Sequence, residues 1–283
     1  MSAARLAVLT ALVMLAFAGN SLLCRLALKG TAIDPASFTA VRIVCGAAVL
    51  VAIAQWRRAP AHRAGTWTAA FVLFAYAATF SYAYVSLTAG TGALLLFAAV
   101  QATMIGWGVW RGERLGLVQV GGLVLAAGGL VGLVLPGLSA PPLGASLLMI
   151  ASGIAWGAYS LLGKGKGDPT QVTAGNFLRG VVPAAALALL TLASATWDPR
   201  GVAYATASGA LTSGLGYVLW YSVLPRLRAT NAAIVQLSVP VIAAFGGVLF
   251  LSEGLSLRLA LASVAVLGGI ALVIAAPRPA RPA

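Results

Sequence analysis

The chain alternates long apolar runs with short breaks that carry proline, glycine or charge. Ten of these runs reach about 20 residues, the length that an α-helix needs to cross the hydrocarbon core of a bilayer. The breaks contain the residue types that end helices. The pattern therefore predicts an all-α integral membrane protein with ten transmembrane helices. The predicted spans are residues 5–28, 35–55, 67–87, 90–110, 116–136, 143–163, 171–194, 202–223, 230–251 and 256–275.

Composition excludes several classes of protein. Of the 283 residues, 61% are hydrophobic and 8% are charged, whereas a soluble domain is about 45–50% apolar and about 25% charged. Too few charges remain to cover a soluble enzyme, and the apolar content rules out a disordered chain. The net charge is +13, but the basic residues form no patch or arm, so no nucleic-acid partner is expected. Cys24, Cys45 and His62 make no zinc or redox motif, so neither a metal nor a cofactor is expected.

The positions of lysine and arginine predict the orientation. With the N-terminus in the cytoplasm, the inner segments hold twelve basic residues and the outer loops hold three, a strong positive-inside bias. Both termini, including the tail 277–283, are then cytoplasmic. An Ala- and Gly-rich, Lys-poor composition favours a bacterial inner membrane. The inner basic residues are Arg5, Arg57, Arg58, Arg63, Arg111, Arg114, Lys164, Lys166, Arg226, Arg228, Arg278 and Arg281.

The two halves of the chain match each other at an offset of about 137–140 residues. Gly112–Leu115 matches Ser252–Leu255, and Arg42 matches Arg179. The repeats are predicted to cover residues 1–138 and 139–276, with five spans each. Because five is odd, the second repeat enters the membrane from the opposite side. Such an inverted-topology repeat is typical of secondary transporters.

The sequence resembles the EamA-type ten-helix exporters of the drug/metabolite transporter superfamily. The resemblance spans essentially the whole chain. It is carried by Ala18-Gly19-Asn20, Trp156-Gly157, Arg42, Glu113 and Glu253, and by the Gly-Gly pairs in spans 5 and 10. It implies export of amino acids or related metabolites, driven by an ion or substrate gradient. The aromatic residues of the middle spans are similar to those expected in the bacterial aromatic amino-acid exporter branch. A drug, nucleoside or vitamin-like metabolite is the alternative substrate.

An enzymatic activity is not expected. All five acidic residues lie at junctions between loops and helices, where a carboxylate favours a helix start. No cluster of acids or histidines is left for catalysis, and a P-loop for ATP is absent. The expected partners are the lipid bilayer and a small-molecule substrate. A channel of the same topology would show conductance rather than saturable flux.

Polar and aromatic residues inside the spans are the candidate substrate contacts. A polar side chain at this depth must face protein or a wet cavity, because an unpaired one is costly in hydrocarbon. Hydrogen bonding or packing between helices is the alternative role for each. The predicted substrate-binding residues are Asn20, Tyr76, Thr79, Phe80, Gln101, Trp156, Tyr159, Tyr217, Trp220 and Gln236.

Three further residues are candidates for gating or for contact with a substrate carboxylate. Arg42 and Arg179 lie about eight residues into their spans, or roughly 12 Å deep. Binding of backbone carbonyls or extension toward the headgroups is the alternative for both. Arg25 lies nearer the span end and is expected to extend toward the headgroups. Pro240 follows Gln236 by four residues and is expected to kink span 9.

Glycine is dense in spans 5 and 10. Small residues allow helices to approach closely. These spans are therefore predicted to be a scaffold, and a homodimer through the same faces is the alternative.

The basic-residue count gives a testable topology. Cysteines introduced at Ala59 and Thr230 should react with a membrane-impermeant thiol reagent only from the cytoplasm, and one at Ala140 only from outside. Reversed labelling would contradict the orientation.

Overall fold

The computed structural model describes residues 2–57, 64–137, 139–163, 167–227 and 229–276. Within these residues the regular structure is helical and contains no β-strand. The predicted tail 277–283 and the basic residues Arg58, Arg63, Lys164, Lys166 and Arg228 lie outside the described residues.

The helices follow the predicted apolar runs, with two interrupted regions. They are α1 (Ala3–Gly30), α2 (Pro35–Trp56), α3 (Trp67–Tyr84), α4 (Ala89–Trp110), α5 (Leu117–Val134), α6 (Leu143–Gly163), α7 (Pro169–Leu190), α8 (Pro199–Ala207), α9 (Gly216–Val223), α10 (Ala229–Gln236), α11 (Ser238–Leu251) and α12 (Leu257–Ala275). A π-helical segment, Ser208–Leu215, joins α8 to α9 without a break. Short 3₁₀ turns at Leu192–Ser194 and Leu224–Arg226 follow α7 and α9.

Among the described residues, eight helical stretches are long and apolar enough to cross a membrane, and one of them, Asn231–Leu251, joins α10 and α11. The other two predicted spans differ from a regular apolar helix. Helix α3 has 18 residues and carries tyrosines at three positions, so its mean hydropathy is below that of the eight membrane-crossing stretches. The predicted span 202–223 begins earlier, at Pro199, and its middle is the π segment.

Aspartate begins three of the helices. Asp34 accepts hydrogen bonds from the backbone N–H groups of Ala36 and Ser37, both at 2.9 Å. Asp168 and Asp198 cap α7 and α8 in the same way. Each is followed by proline, which has no N–H to leave unpaired in a first turn. Burial alone would raise the pKa of Asp34, but its hydrogen bonds hold that pKa below its usual value.

The interrupted region near Pro240 has a local cause. Proline lacks an N–H and cannot donate to the carbonyl four residues earlier, here that of Gln236. Helix α10 ends at Gln236 and α11 starts at Ser238. The N–H of Leu237 instead donates to the Ile234 carbonyl at 3.0 Å in a tighter turn.

Helix packing pairs the two halves of the chain. Helix α2 packs against α7, and α5 packs against α12. Helix α6 packs against α3 and α4, while α1 packs against the α8–α9 series and α11. When the two repeats are exchanged, the α2–α7 and α5–α12 pairs each map onto themselves. The contacts of α6 with α3 and α4 map onto the contacts of α1 with the α8–α9 series and α11. The packing thus has the two-fold pattern of a duplicated chain.

Contacts between loops define the two ends of the bundle. At the Thr31 end, Asp34 contacts Thr196, and Arg25 contacts Tyr84 and Glu253. At the Gly65 end, Thr66 contacts Asn176 and Ala64 contacts Arg179. The predicted orientation makes the Thr31 end the outer one.

The glycines of α5 fall on two different faces. A Cβ on Gly122 would lie 2.5 Å from the carbonyl oxygen of Gly269, and one on Gly129 would lie 2.8 Å from Ala265 Cβ. Side chains at these positions would force α5 and α12 apart. At Gly121, Gly128 and Gly132, no atom of the described residues beyond the adjoining turns of the same helix lies within 4 Å of the corresponding position. Only the first face therefore supports the predicted scaffold contact.

This division predicts different effects for two equivalent substitutions. Gly122→Ala should lower the melting temperature of the purified protein, since overpacking against backbone costs about 1–3 kcal/mol. Gly128→Ala is the matched control on the open face of the same helix. It should leave the melting temperature unchanged or slightly higher, because alanine favours a helix by about 0.8–1.0 kcal/mol over glycine. Equal destabilisation by both would contradict the assignment of the faces.

Candidate functional site

A small cavity lies where the two repeats meet. Its volume is about 30 Å³, enough for two or three water-sized spheres of about 10–15 Å³ each. Helices α1, α3 and α4 of the first repeat line it together with α6, the π segment and α9 of the second. The lining residues are Phe17, Asn20, Ser21, Tyr76, Phe80, Leu96, Phe97, Trp156, Thr212, Ser213 and Tyr217.

Aromatic rings form most of one wall. The ring centroid of Trp156 lies 4.9 Å from that of Tyr76 and 5.1 Å from that of Tyr217. Phe17 meets Tyr217 edge-on at 6.1 Å. Trp156 also stacks on Tyr159, with centroids 5.5 Å apart and an angle of 27°. Trp156 therefore joins the aromatic residues of both repeats.

Asn20 organises the polar wall. Its Oδ1 accepts hydrogen bonds from Ser208 Oγ at 2.8 Å and Thr212 Oγ1 at 3.2 Å. Its Nδ2 donates to Tyr76 Oη at 3.2 Å. The amide thereby links α1 to α3 and to the π segment, and both of its polar atoms are used.

Arg42 lies directly behind this wall and is 2% exposed. Its Nη2 donates to Tyr76 Oη at 2.8 Å and its Nε to Ser213 Oγ at 3.3 Å. The guanidinium carbon is 5.1 Å from the ring centre of Tyr76 and 5.0 Å from that of Phe80, within the range of cation–π contacts. Tyr76 and Ser213 connect this buried cation to the cavity.

The π segment approaches α2 closely enough to build this arrangement. A Cβ on Gly209 would collide with the carbonyl oxygen of Arg42, and one on Gly46 would lie 3.2 Å from the carbonyl oxygen of Gly209. Glycine at both positions lets the backbones meet. The extra residue in a π turn re-aims the side chains that follow it, and Thr212 and Ser213 reach the cavity from there.

A buried ion pair closes the Thr31 end. Arg25 Nε lies 2.9 Å from Glu253 Oε1, with both side chains under 10% exposed. Arg25 Nη1 also donates to the carbonyls of Tyr84 and Val85, each at 2.8 Å. Glu253 Oε2 accepts from the Ala89 N–H at 2.8 Å. We call this cluster the Arg25 clamp. The prediction that Arg25 extends toward the headgroups is wrong, because a carboxylate and two carbonyls hold it inside.

A larger cavity of about 380 Å³ opens at the Gly65 end between α3, α6 and α7. Asp168, Gln171 and Asn176 supply polar side chains to its wall. Asn176 Oδ1 accepts from the Thr66 N–H at 2.9 Å, and its Nδ2 donates to Tyr159 Oη at 3.3 Å. Tyr159 stacks on Trp156 and thereby connects the walls of the two cavities.

The structure brings together half of the predicted substrate contacts. Asn20, Tyr76, Phe80, Trp156 and Tyr217 line the central cavity. Their role in substrate binding stays a prediction.

The other predicted contacts lie outside the cavity lining. Thr79 Oγ1 donates to the Ala75 carbonyl of its own helix. Tyr159 binds Asn176, and Trp220 packs against Phe17 at 5.9 Å. Gln101 is buried in α4, and Gln236 is partly buried at the end of α10.

The gating candidates lie in different parts of the structure. Arg42 joins the wall of the central cavity, whereas Arg179 Nη1 donates to the carbonyls of Ala64 and Gly175 at the Gly65 end. The structure shows carbonyl contacts for Arg179, and a gating role for it stays a prediction. Pro240 is buried beside the helix break.

Six residues line the cavity but were not predicted as contacts, namely Phe17, Ser21, Leu96, Phe97, Thr212 and Ser213. Serine and threonine in a span are common hydrogen-bonding residues, and the sequence marks the π segment only weakly. A Ser-Gly…Thr-Ser-Gly pattern in span 8 is the one hint that this stretch departs from a regular apolar helix.

Comparison with known proteins decides the family. The model of the EamA-like transporter family matches the chain twice, over residues 5–135 and 143–275. The chain belongs to the EamA-like transporter family. The two matches show the duplication directly, and the family is one of transporters rather than enzymes.

Individual relatives agree with this assignment. An uncharacterized protein of Pseudomonas aeruginosa is 59% identical over 280 residues, covering 99% of this chain and 97% of its own. An uncharacterized transporter of Archaeoglobus fulgidus is 28% identical, covering 94% and 96%. A solved crystal structure superposes with a TM-score of 0.68 over 95% of this chain and 97% of its own, at 19% identity, and so shares the fold.

Proposed function

We propose that this EamA-like protein is a secondary transporter that exports amino acids, including neutral and aromatic ones, by alternating access. It would cross the bacterial inner membrane ten times with both termini in the cytoplasm. The observation that carries the proposal is the aromatic and polar cavity between the repeats. In inverted-repeat transporters the substrate site lies near the repeat interface.

The two ends of the bundle are compatible with loading from the cytoplasm, a step that export requires. The Arg25 clamp closes the end that is predicted to face outward. The larger cavity opens at the end that is predicted to face the cytoplasm. This arrangement suits a carrier that loads from inside. The central cavity is smaller than any amino acid, so loading requires the aromatic wall to move.

A drug, nucleoside or vitamin-like metabolite is the second candidate. The aromatic faces of Trp156 and Tyr217 favour it, because they could stack on any planar ring.

Counterflow in proteoliposomes tests the substrate class. Purified protein, with unlabelled amino acid inside the vesicles, should accumulate the same labelled amino acid from outside without ATP. The uptake should saturate, since a carrier has a finite number of sites. Lack of counterflow across the twenty standard amino acids would reject this class. Uptake of a nucleoside or vitamin instead would support the second candidate.

Trp156→Ala tests the position of the site. Loss of one aromatic wall contact should weaken the apparent affinity by about 5- to 10-fold, from about 1–1.5 kcal/mol per aromatic contact. Trp197→Ala is the control, because Trp197 lies in a loop at the Thr31 end and is 60% exposed. It should transport like the wild type. If Trp156→Ala lowers only the melting temperature and leaves affinity and selectivity unchanged, Trp156 is a packing residue.

A further inference from the structure

Arg42 is a buried cation without an acidic neighbour. All five acidic residues of the chain lie in the described segments. The ion pair found among the described residues is that of Arg25 with Glu253, so no carboxylate oxygen lies within 4.0 Å of Arg42. A charge removed from water without a counter-charge is unfavourable. The charge of Arg42 is therefore left for another partner to neutralise.

The hydrogen bonds of Arg42 are also incomplete. Nε and Nη2 donate to Ser213 and Tyr76. Nη1 is buried and has no hydrogen-bond partner among the described residues. Buried donors of this kind are rare in native proteins, and each needs a physical explanation.

The hydroxyls beside Arg42 have donors to spare. Tyr76 Oη accepts from both Arg42 and Asn20, which leaves its own O–H to donate. Ser213 Oγ accepts from Arg42 Nε and likewise keeps its O–H. Both residues line the cavity. A partner that only accepts hydrogen bonds and carries negative charge fits this wall, and a carboxylate is such a group.

The cavity offers no carboxylate to an ammonium ion. None of its lining residues is acidic. Asn20 Oδ1, a strong neutral acceptor there, is already bonded to Ser208 and Thr212. A positive group on a substrate would meet the positive field of Arg42, with hydroxyl oxygens and aromatic faces but no negative charge to offset it.

From this imbalance we infer that Arg42, with Tyr76 and Ser213, binds the carboxylate of the substrate, and that the substrate class is monocarboxylates with an aromatic or aliphatic tail. An α-amino group is not required for recognition. The tail packs against Phe17, Trp156 and Tyr217. The inference rests on the proposed transport function and widens its substrates from amino acids to their deaminated analogues.

Two matched series of ligands test the inference on the wild-type protein. The first is 3-phenylpropionate, phenylalanine and phenethylamine, and the second is 4-methylpentanoate, leucine and 3-methylbutylamine. We expect the carboxylates and amino acids to raise the melting temperature and to compete in counterflow, and the amines to do neither. Stronger binding by the amines would overturn the inference, as would binding by amino acids without their deaminated analogues. Absence of binding in both series would overturn it as well.

The same series separates this inference from the transport proposal. Saturable transport of the amines alone would leave a transporter without a carboxylate site. Lack of counterflow with these compounds and with all twenty standard amino acids would reject the amino-acid transport proposal itself.

Variants of Arg42 test the residue. Arg42→Met should weaken binding of 3-phenylpropionate by about 30-fold or more, as expected when one member of a buried charge pair is removed. Binding of the uncharged analogue 3-phenylpropanol should weaken much less. Arg42→Lys keeps the charge and should recover part of the carboxylate affinity. Equal losses for the charged and uncharged ligands would mean that Arg42 only supports the wall.

Arg258→Met is the matched control. Arg258 is another arginine of the bundle, and it donates to the carbonyls of Leu133 and Leu135 at the Thr31 end. Its loss should leave the ratio of carboxylate to alcohol binding unchanged. If Arg42→Met does not fold, the ligand series on the wild-type protein decides the inference alone.

Discussion

A chain surrounded by hydrocarbon has to satisfy its backbone N–H and C=O groups internally, and this constraint shapes the whole bundle. It explains why regular structure in the described residues is helical. It also explains where the helices deviate. The π segment packs against α1 and α2, and the break at Leu237 lies beside buried residues. In both places the irregular backbone packs against protein on one side, although Leu211 and Leu215 of the π segment are exposed.

The same constraint determines how much of the fold can be predicted from sequence. Apolar runs of bilayer length predict the helices, and Asp-Pro at residues 34–35 and 168–169 predicts two of their starts. These signals depend only on residues that are close in sequence, so they can be recognised from the sequence alone. The duplication is equally visible in matched motifs and is shown by the two family matches. Helix bounds differ where local signals compete, as at Pro199 and near Pro240.

The site is less predictable because its contacts are long-range. Arg42 and Arg179 occupy matched positions of the repeat, yet one meets Tyr76 and Ser213 and the other meets the Ala64 carbonyl. Sequence spacing shows their depth but not which neighbours fold beside them. Thr79 and Gln101 interrupt apolar runs as Asn20 does, but only Asn20 lines the cavity. The difference depends on the rotation of each helix, which many packing contacts set together.

The Arg25 clamp has a consequence for how the sequence can change. Removing one member of a buried ion pair leaves the other charge buried without a partner, which lowers the free energy of unfolding by about 3–5 kcal/mol. Replacing both by apolar residues of similar volume is often neutral or stabilising. Arg25 and Glu253 come from opposite ends of the chain, 228 positions apart. The clamp therefore couples the two repeats energetically, so that replacing both residues is expected to cost less than the sum of the two single replacements.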